Sequence, residues 1–482
     1  MRKLSFILVV ILMATSYAAS AEQASLSPTP ATTRTVSGTR IGHYKNGAVP
    51  VDLSAVPIAA YVPSKTGYTV ITGSGTSSGT FTIPNVPTGY YLLQLGSIFL
   101  GTSSTTVDAD FRADHRSDIV QANSNTTLTF DLTNLNSWQS TDIFEMVCPH
   151  NASFADFPGT VGETAFTGTF PLGSYWYLSE AGEGDQYYAS QLITQNVAGY
   201  PFTALGRYIA PAKFTEQQGS DTPINGKLKT IAQTNAFEAN FNGADMAAQA
   251  QAANPNAILV ETAIYLDVYP GSMAKGDVTA TPDLMIYDAV LGSEPLITTN
   301  GDLGPVSYGN PFPPANWPLW VAYYDTAVTP YTAPGATNGI YLATYVWDTT
   351  PTLPTPTSPM APLVGVVNKP LINGKNFFND QSGVGSTPLL KWSAPSLGTA
   401  TFYGVAIIQL SNSGGNTVAT SIAHLYTQHT SARIPPGLLS TGLGYVFRVT
   451  PFYIPGLNFA KTPFMDGATY AYDQVISGMV QP

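Results

Sequence analysis

Gly79-Thr80-Phe81-Thr82-Ile83-Pro84-Asn85-Val86-Pro87-Thr88-Gly89-Tyr90-Tyr91-Leu92-Leu93-Gln94-Leu95 is the stretch that decides the fold class of this chain. Phe81 and Ile83 alternate with Thr80 and Thr82, the period of two that turns one face of a strand to a core and the other to water. Val86-Pro87-Thr88-Gly89 interrupts this with turn chemistry, and the apolar run from Tyr90 to Leu95 reads as the next strand. Upstream, Pro63-Ser64-Lys65-Thr66-Gly67 and Gly73-Ser74-Gly75-Thr76-Ser77-Ser78-Gly79 are two further connections of hairpin length. The region therefore reads as a small antiparallel sandwich.

Together with Val36-Ser37-Gly38, the block from Gly79 to Leu93 resembles the prealbumin-like fold of carboxypeptidase regulatory-like domains, with residues 36–100 as the module. The resemblance implies an accessory role rather than a catalytic one. Near the other end, Pro388-Leu389-Leu390-Lys391-Trp392-Ser393-Ala394-Pro395 resembles the second strand of a fibronectin type III domain, in which a Trp fills the space between the sheets. Leu439-Ser440-Thr441-Gly442-Leu443-Gly444-Tyr445-Val446-Phe447-Arg448-Val449 is similar to the turn and sixth strand of that family, with Tyr445 in the tyrosine-corner position. Thr441 and Leu443 depart from it, standing where the family prefers Pro and Thr. The likeness implies a spacer or binding module over residues 365–482 with a C-terminal extension, and no Arg-Gly-Asp tripeptide is present.

Between these ends, Pro351, Pro354, Pro356, Pro359 and Pro362 make residues 349–364 a Pro/Thr-rich linker, because proline at this density stays extended and cannot enter a central strand. Residues 101–348 read as a β-rich middle domain, with strands expected at 128–132, 175–178, 258–268, 283–290, 319–324 and 340–347. One helix is expected near 236–253, where Asn235 can cap an Ala-rich segment, Phe237 and Phe241 lie four apart, and Asn254-Pro255 ends the run. The fold class expected is all-β: multidomain β-sandwiches, prealbumin-like, β-rich with one helix, and fibronectin type III-like.

Composition sharpens this. Only 10% of side chains are charged, against roughly a quarter in an average soluble domain, which excludes coiled coils and charge-driven disorder. Arg2 and Lys3, the apolar run from Leu4 to Met13, and Ala19-Ser20-Ala21 have the order of a secretory signal over residues 1–21, followed by a flexible Ser/Thr/Pro lead over 22–35. The apolar run is too short to span a bilayer, which takes about 20 residues, and no later stretch is longer, so no membrane span is expected in the mature chain. Removal of Arg2 and Lys3 would make the formal charge of −11 two units more negative, a sign that opposes nucleic-acid binding. The single cysteine, Cys148, allows no internal disulfide. Asn125 and Asn151 sit in N-glycosylation patterns that matter only in a eukaryotic source.

Chemistry-bearing residues concentrate at Asp108, Asp110, Arg112, Asp114, His115, Arg116 and Asp118. Asp108 and Asp110 could serve as hard-metal ligands or an acid and base pair. The even spacing of all but His115 instead puts alternating Asp and Arg on one strand face, a salt-bridge ladder between the first and middle domains, and this is the favoured expectation. His43, His115, His150, His424 and His429 form no two-histidine metal motif. Cys148 and His150 form a Cys/His pair that lacks the further ligands of a zinc site, and a thiol there is expected to be buried and inert. Gly75-Thr76-Ser77-Ser78-Gly79 matches Gly-x-Ser-x-Gly, but a strand rather than a helix follows, so it reads as a hairpin. No residue is assigned to catalysis, to a cofactor or to a metal. Tyr175-Trp176-Tyr177, Tyr187-Tyr188, Trp317, Trp320 and Tyr323-Tyr324 concentrate aromatic rings in the middle domain, and since adjacent strand residues point to opposite faces, at least one ring of each Tyr pair could face solvent. Most of them are expected in the core.

The expectation is an exported binding or structural protein rather than an enzyme. Its partner would be a glycan, another surface polymer or another protein, at the cell surface, in the extracellular space or in the periplasm. The alternative is a secreted carbohydrate-active or other hydrolase with its site in the middle domain.

Overall fold

The computed structural model describes residues 32–65, 67–113, 115–173, 176–270, 280–465 and 469–482. The expected signal segment lies outside the described residues, as do Asp114 and Tyr175. The architecture is all-β. Among the described residues there is one α-helix, Gly243–Gln251, and no helix long and apolar enough to cross a membrane.

The first sandwich opens with strand Thr33–Thr39, which begins within the expected lead and pairs antiparallel with Thr80–Pro87 and parallel with Thr106–Asp108. Phe81 and Ile83 point into the core with Thr80 and Thr82 exposed, as their alternation requires. Val86 is three residues beyond Ile83 yet also buried. The register shifts between Arg34 and Val36, and Asn85 opposite that shift has φ 59, so the inserted residue restores the inward phase. Asn is among the few side chains that tolerate this left-handed conformation. Facing this sheet, Ile58–Pro63, Tyr68–Thr72, Tyr91–Leu95 and Ile98–Thr102 complete the sandwich around Ile58, Ala60, Leu93 and Leu100.

The facing sheet does not end at the module. Ile98–Thr102 pairs in parallel with Asn416–Thr427, which continues through Phe402–Ser413, Gly444–Tyr453 and Tyr470–Asp473. Tyr470–Asp473 pairs with Ile340–Thr350, and the ladder runs on through Leu319–Tyr331, Ile258–Val268, Asp283–Val290, Tyr200–Ile209, Tyr188–Val197 and Ile143–Cys148 to Ser153–Phe157. One hydrogen-bonded sheet thus passes through every module. Its aromatic side chains stack along it: Tyr324 lies on Trp347 with centroids 4.6 Å apart, Tyr265 stacks on Tyr324, and Tyr472 stacks on Trp347.

Three smaller sheets and the helix close the remaining cores. Asn368–Ile372, Leu389–Ser393 and Ser431–Arg433 cover the C-terminal strands, with Leu390 and Trp392 packed among Val405, Ile407 and Phe447. The Tyr445 hydroxyl accepts a 2.9 Å hydrogen bond from the Ser440 amide, and the ring is fully buried. Tyr445→Phe should leave that amide unpartnered and lower stability by ~1–2 kcal/mol, read from the guanidinium midpoint; an unchanged midpoint would discount the corner. In the middle region, Thr127–Thr133, flanked by Ala165–Pro171 and Asp221–Lys227, covers a phenylalanine cluster of Phe130, Phe144, Phe157, Phe166 and Phe170. The pair Asn235–Asn242 and Asn300–Tyr308, with the helix, covers a second core that includes Phe237, Phe241, Met246 and Tyr323.

Three expectations are corrected here. The helix is shorter than 236–253: Asn235–Asn242 is strand, and the helix is only Gly243–Gln251. A spacing of four places Phe237 and Phe241 on one face of a strand as well as of a helix, so it does not discriminate. Gly243 is required where the strand becomes helix, because a Cβ there would sit 2.7 Å from the Thr299 carbonyl oxygen. Residues 349–364 are a docked strap rather than a free spacer: Met360 exchanges backbone hydrogen bonds with Asn240 and Asn242, its side chain joins the middle core, and the Leu363 amide donates to Asp348. Residues 176–178 form no extended strand, only an isolated bridge from Tyr177 to Gln121.

Candidate functional site

The charged run at 108–118 is not a single strand. Thr106–Asp108 and Phe111–Arg112 belong to different sheets, so the chain turns between them and the expected one-faced ladder cannot form. Asp110 accepts from the Ile41 amide at 2.8 Å and lies 3.3 Å from His43 Nε2. Asp108 accepts from the Asp110 amide, and burial pushes its carboxyl up from the ordinary range. Arg112 is exposed. Arg116 is the member that gathers partners distant in sequence: its fully buried guanidinium contacts Asp118 at 2.8 Å, Glu180 at 3.2 Å and Asp185 at 3.3 Å. These ion pairs lie within the middle region and do not make the expected ladder between the first and middle domains; the first module meets the run through His43 on Asp110 and through the Asn46 side chain, which donates to Asp118 at 3.2 Å.

Asp185 is the centre of this network. Burial raises its carboxyl pKa, but hydrogen bonds from His150 and the Glu180 amide and the charge of Arg116 outweigh that and hold it below the ordinary range. An ionised carboxylate only accepts, so the His150 ring nitrogen 2.8 Å away, Nδ1, carries the proton. His150 sits in the turn between Ile143–Cys148 and Ser153–Phe157, where Ala152 has φ 61. The same turn holds Lys45, whose Nζ donates to the Pro149 carbonyl at 2.7 Å and lies 4.9 Å from the Tyr269 ring.

These elements enclose a cleft of about 430 Å³ whose walls include Lys45, His150, Gln186, Tyr188 and Trp317. Trp317 stands edge-on to Tyr188 at 5.3 Å and packs on Phe312 at 4.7 Å, which fixes its ring without covering it. Gln186 donates to the carbonyls of Tyr187 and Pro211 at 2.9 and 2.7 Å.

Of the other residues singled out in the sequence, few join this cleft. Trp176 is buried, stacked 4.8 Å from Tyr187, with its indole N–H donated to Glu216. Burial and this network leave the Glu216 carboxyl at about 7. Trp320 is buried against Tyr269. Tyr187 faces inward and Tyr188 the cleft, as expected of adjacent strand residues, but Tyr323 and Tyr324 are both buried because the sheet is packed on its two faces at that point. Cys148 is fully buried, and burial followed by the charge of Asp185 pushes its thiol up to about 11. Asn151 is buried, its amide donating to Tyr177 and Tyr187, so that glycosylation pattern does not lie on the surface. Gly79, at φ 76, turns the chain between Ser74–Gly75 and Thr80–Pro87, which makes the Gly-x-Ser-x-Gly match a hairpin. His115 bonds the Arg116 carbonyl, His424 contacts Ser421, and His429 meets Tyr90 edge-on. Among the described residues no three His, Cys, Asp or Glu side chains are grouped to hold a metal ion. Lys45, Glu180, Asp185 and Gln186 carried no signal in the sequence, since each is isolated there and acquires its role only through partners that the fold brings to it.

No protein-family model matches this chain, and no curated protein matches it in sequence. Among solved structures, Escherichia coli alpha-2-macroglobulin activated by porcine elastase aligns with 93% of this chain and 44% of its own length, at 10% identity and a TM-score of 0.13. The chain thus spans less than half of that protein, and a likeness this slight carries no argument about fold or function.

Proposed function

We propose that this chain is an exported, non-enzymatic binding or structural protein of fused β-sandwiches, and that it contacts a glycan or another hydroxyl-rich surface polymer through the cleft at Trp317. The observation that supports this reading is the pairing of Trp317 and Tyr188 in one open wall beside Gln186 and His150. An aromatic face takes the C–H face of a sugar, and neighbouring polar groups fix its hydroxyls. The test is an array of glycans and surface polymers probed with the full chain and with Trp317→Ala. Binding to at least one polymer is expected, weakened at least tenfold in the variant, with thermal unfolding unchanged. Absence of binding by the wild-type chain overturns the reading.

The hydrolase alternative draws on one observation, the Asp185 and His150 pair at the cleft wall, since a carboxylate that orients an imidazole is half of a general base. Cys148 does not supply the nucleophile, with its thiol buried and pushed to about 11. Release of new reducing ends from a bound polymer, abolished by His150→Ala, would favour this alternative over simple binding.

A further inference from the structure

One hydrogen-bonding edge of the continuous sheet is open. Among the described residues the ladder ends at Ser153–Phe157, paired only with Ile143–Cys148, and at Tyr68–Thr72, paired only with Ile58–Pro63. Ser153–Phe157 carries Asp156 and has no exposed residue. Tyr68–Thr72 lacks any such protection: Thr69, Val70 and Thr72 are exposed, Val70 to 46%, and residues 66–107 contain no charged side chain. Sheet edges are ordinarily guarded by charge, proline or a bulge, because unpaired amides and carbonyls template another strand. The exposed edges of the smaller sheets show such guards, with Gly168 at φ 140 and Pro171 in Ala165–Pro171, and Asp221, Pro223 and Lys227 in Asp221–Lys227.

The phase of the free groups is fixed by the hairpin. The Gly73 amide donates to the Ile58 carbonyl and the Gly67 carbonyl accepts from the Ser64 amide, so the odd-numbered residues from 67 to 73 face the partner strand. The N–H and C=O groups of Tyr68, Val70 and Thr72 therefore point away from it, and none has a partner among the described residues. The strand itself is held firmly: Ile71 packs on the first core, and the Tyr68 hydroxyl donates to the Arg433 carbonyl at 2.8 Å. Three outward residues centred on Val70 are self-complementary under a two-fold axis. We infer that the protein forms a two-fold dimer in which Tyr68–Thr72 pairs antiparallel with the same strand of a second copy, Val70 opposite Val70 and Tyr68 opposite Thr72. The continuous sheet then runs from one protomer into the other. A formal charge of −11 opposes self-association in general, and this uncharged stretch is where two copies meet without repulsion. Lys65 and Arg433 stand at the Tyr68 end of the strand. The two such ends point apart in the pair, separated by about 13 Å along the strand, beyond a Debye length of ~8 Å.

The experiment is sedimentation equilibrium of the full chain at neutral pH and physiological ionic strength, which should show a reversible monomer and dimer equilibrium. Val70→Lys and Val70→Glu each place like charges directly across the axis and should each weaken dimerisation at least tenfold. Because Val70 is exposed, their guanidinium midpoints, read at a concentration where wild type is monomeric, should match wild type. An equimolar mixture of the two variants sets Lys opposite Glu and should recover association to within about threefold of wild type, a rescue that requires position 70 to lie on the axis. A wild-type chain that stays monomeric to submillimolar concentration, a dimer that both variants leave intact, and a loss that the mixture does not restore each overturn the inference.

Discussion

Arg116→Met is expected to lower the stability of the protein by ~3 kcal/mol, the low end of what breaking a buried ion pair costs. The guanidinium is fully buried and faces three carboxylates, of which Asp118 and Glu180 are about half exposed and Asp185 is not exposed at all. Asp118 and Glu180 can return to water when their partner is lost. Asp185 cannot, and it keeps only His150 and the Glu180 amide, so an uncompensated charge remains buried in the middle region. Lysine offers one point charge where the guanidinium fork meets three partners, and Arg116→Lys should recover only part of the loss. Asp185→Asn removes the stranded charge, so the double variant Arg116→Met with Asp185→Asn should be more stable than the sum of the single losses predicts. Guanidinium midpoints of the four proteins at neutral pH measure this. A loss below ~1 kcal/mol for Arg116→Met would show that the network is only surface electrostatics.

The legibility of this molecule in its sequence follows the range of the interactions involved. Where a side chain's role is set by its immediate neighbours, the reading succeeds: Phe81 and Ile83 alternate into a core, and the expected strands 258–268 and 283–290 coincide with Ile258–Val268 and Asp283–Val290. Where one spacing fits two structures, it fails. Phe237 and Phe241 satisfy strand and helix alike, and Ala-rich composition tipped the balance the wrong way until the partner strand Asn300–Tyr308 is considered. Proline density in 349–364 correctly excludes a ladder strand but says nothing of the residues between the prolines, and Met360 and Leu363 dock the segment onto the middle core. The candidate site is the least legible part. Arg116 was visible only as one member of a charged run, and its partners Glu180 and Asp185 lie 64 and 69 positions away, brought near by two separate turns. The aromatic excess had the same ambiguity. Trp347, Tyr324, Tyr265 and Tyr472 lie on four adjacent strands and stack into the seam of one continuous sheet, whereas among the described residues Trp317 and Tyr188 are the aromatic rings that line the cleft.

That continuous sheet also buries acids, and from them the protein should be more stable at pH 5 than at pH 9. Glu261 lies on one face of the sheet, where burial and then the charge of Asp288 raise its carboxyl to about 8. Asp325 lies on the neighbouring strand, where burial raises it to about 7 against a hydrogen bond from Thr262 that pulls it down. Both folded values stand above those of an unfolded chain, near 4. Between the two the folded state keeps protons that the unfolded state has already released, so stability falls as pH rises through that window and levels off above the folded values. Shifts of this size set an upper limit of ~5 kcal/mol for each group, and relaxation around a newly charged carboxylate reduces it, so a total loss of at least ~2 kcal/mol from pH 5 to 9 is expected. Glu216, Asp348 and Asp473 are raised by burial in the same sense and add to the slope. Asp185, held low, is ionised across the whole interval and contributes none. The double substitution Glu261→Gln with Asp325→Asn keeps the neutral form's size and hydrogen-bonding capacity and removes the titration. It should therefore unfold at a higher guanidinium concentration than wild type at pH 9 and lose that advantage at pH 5. A wild-type midpoint that stays level or rises from pH 5 to 9 would mean that these carboxylates are already ionised and solvated in the folded protein, and that the sheet is open to water where Glu261 and Asp325 lie.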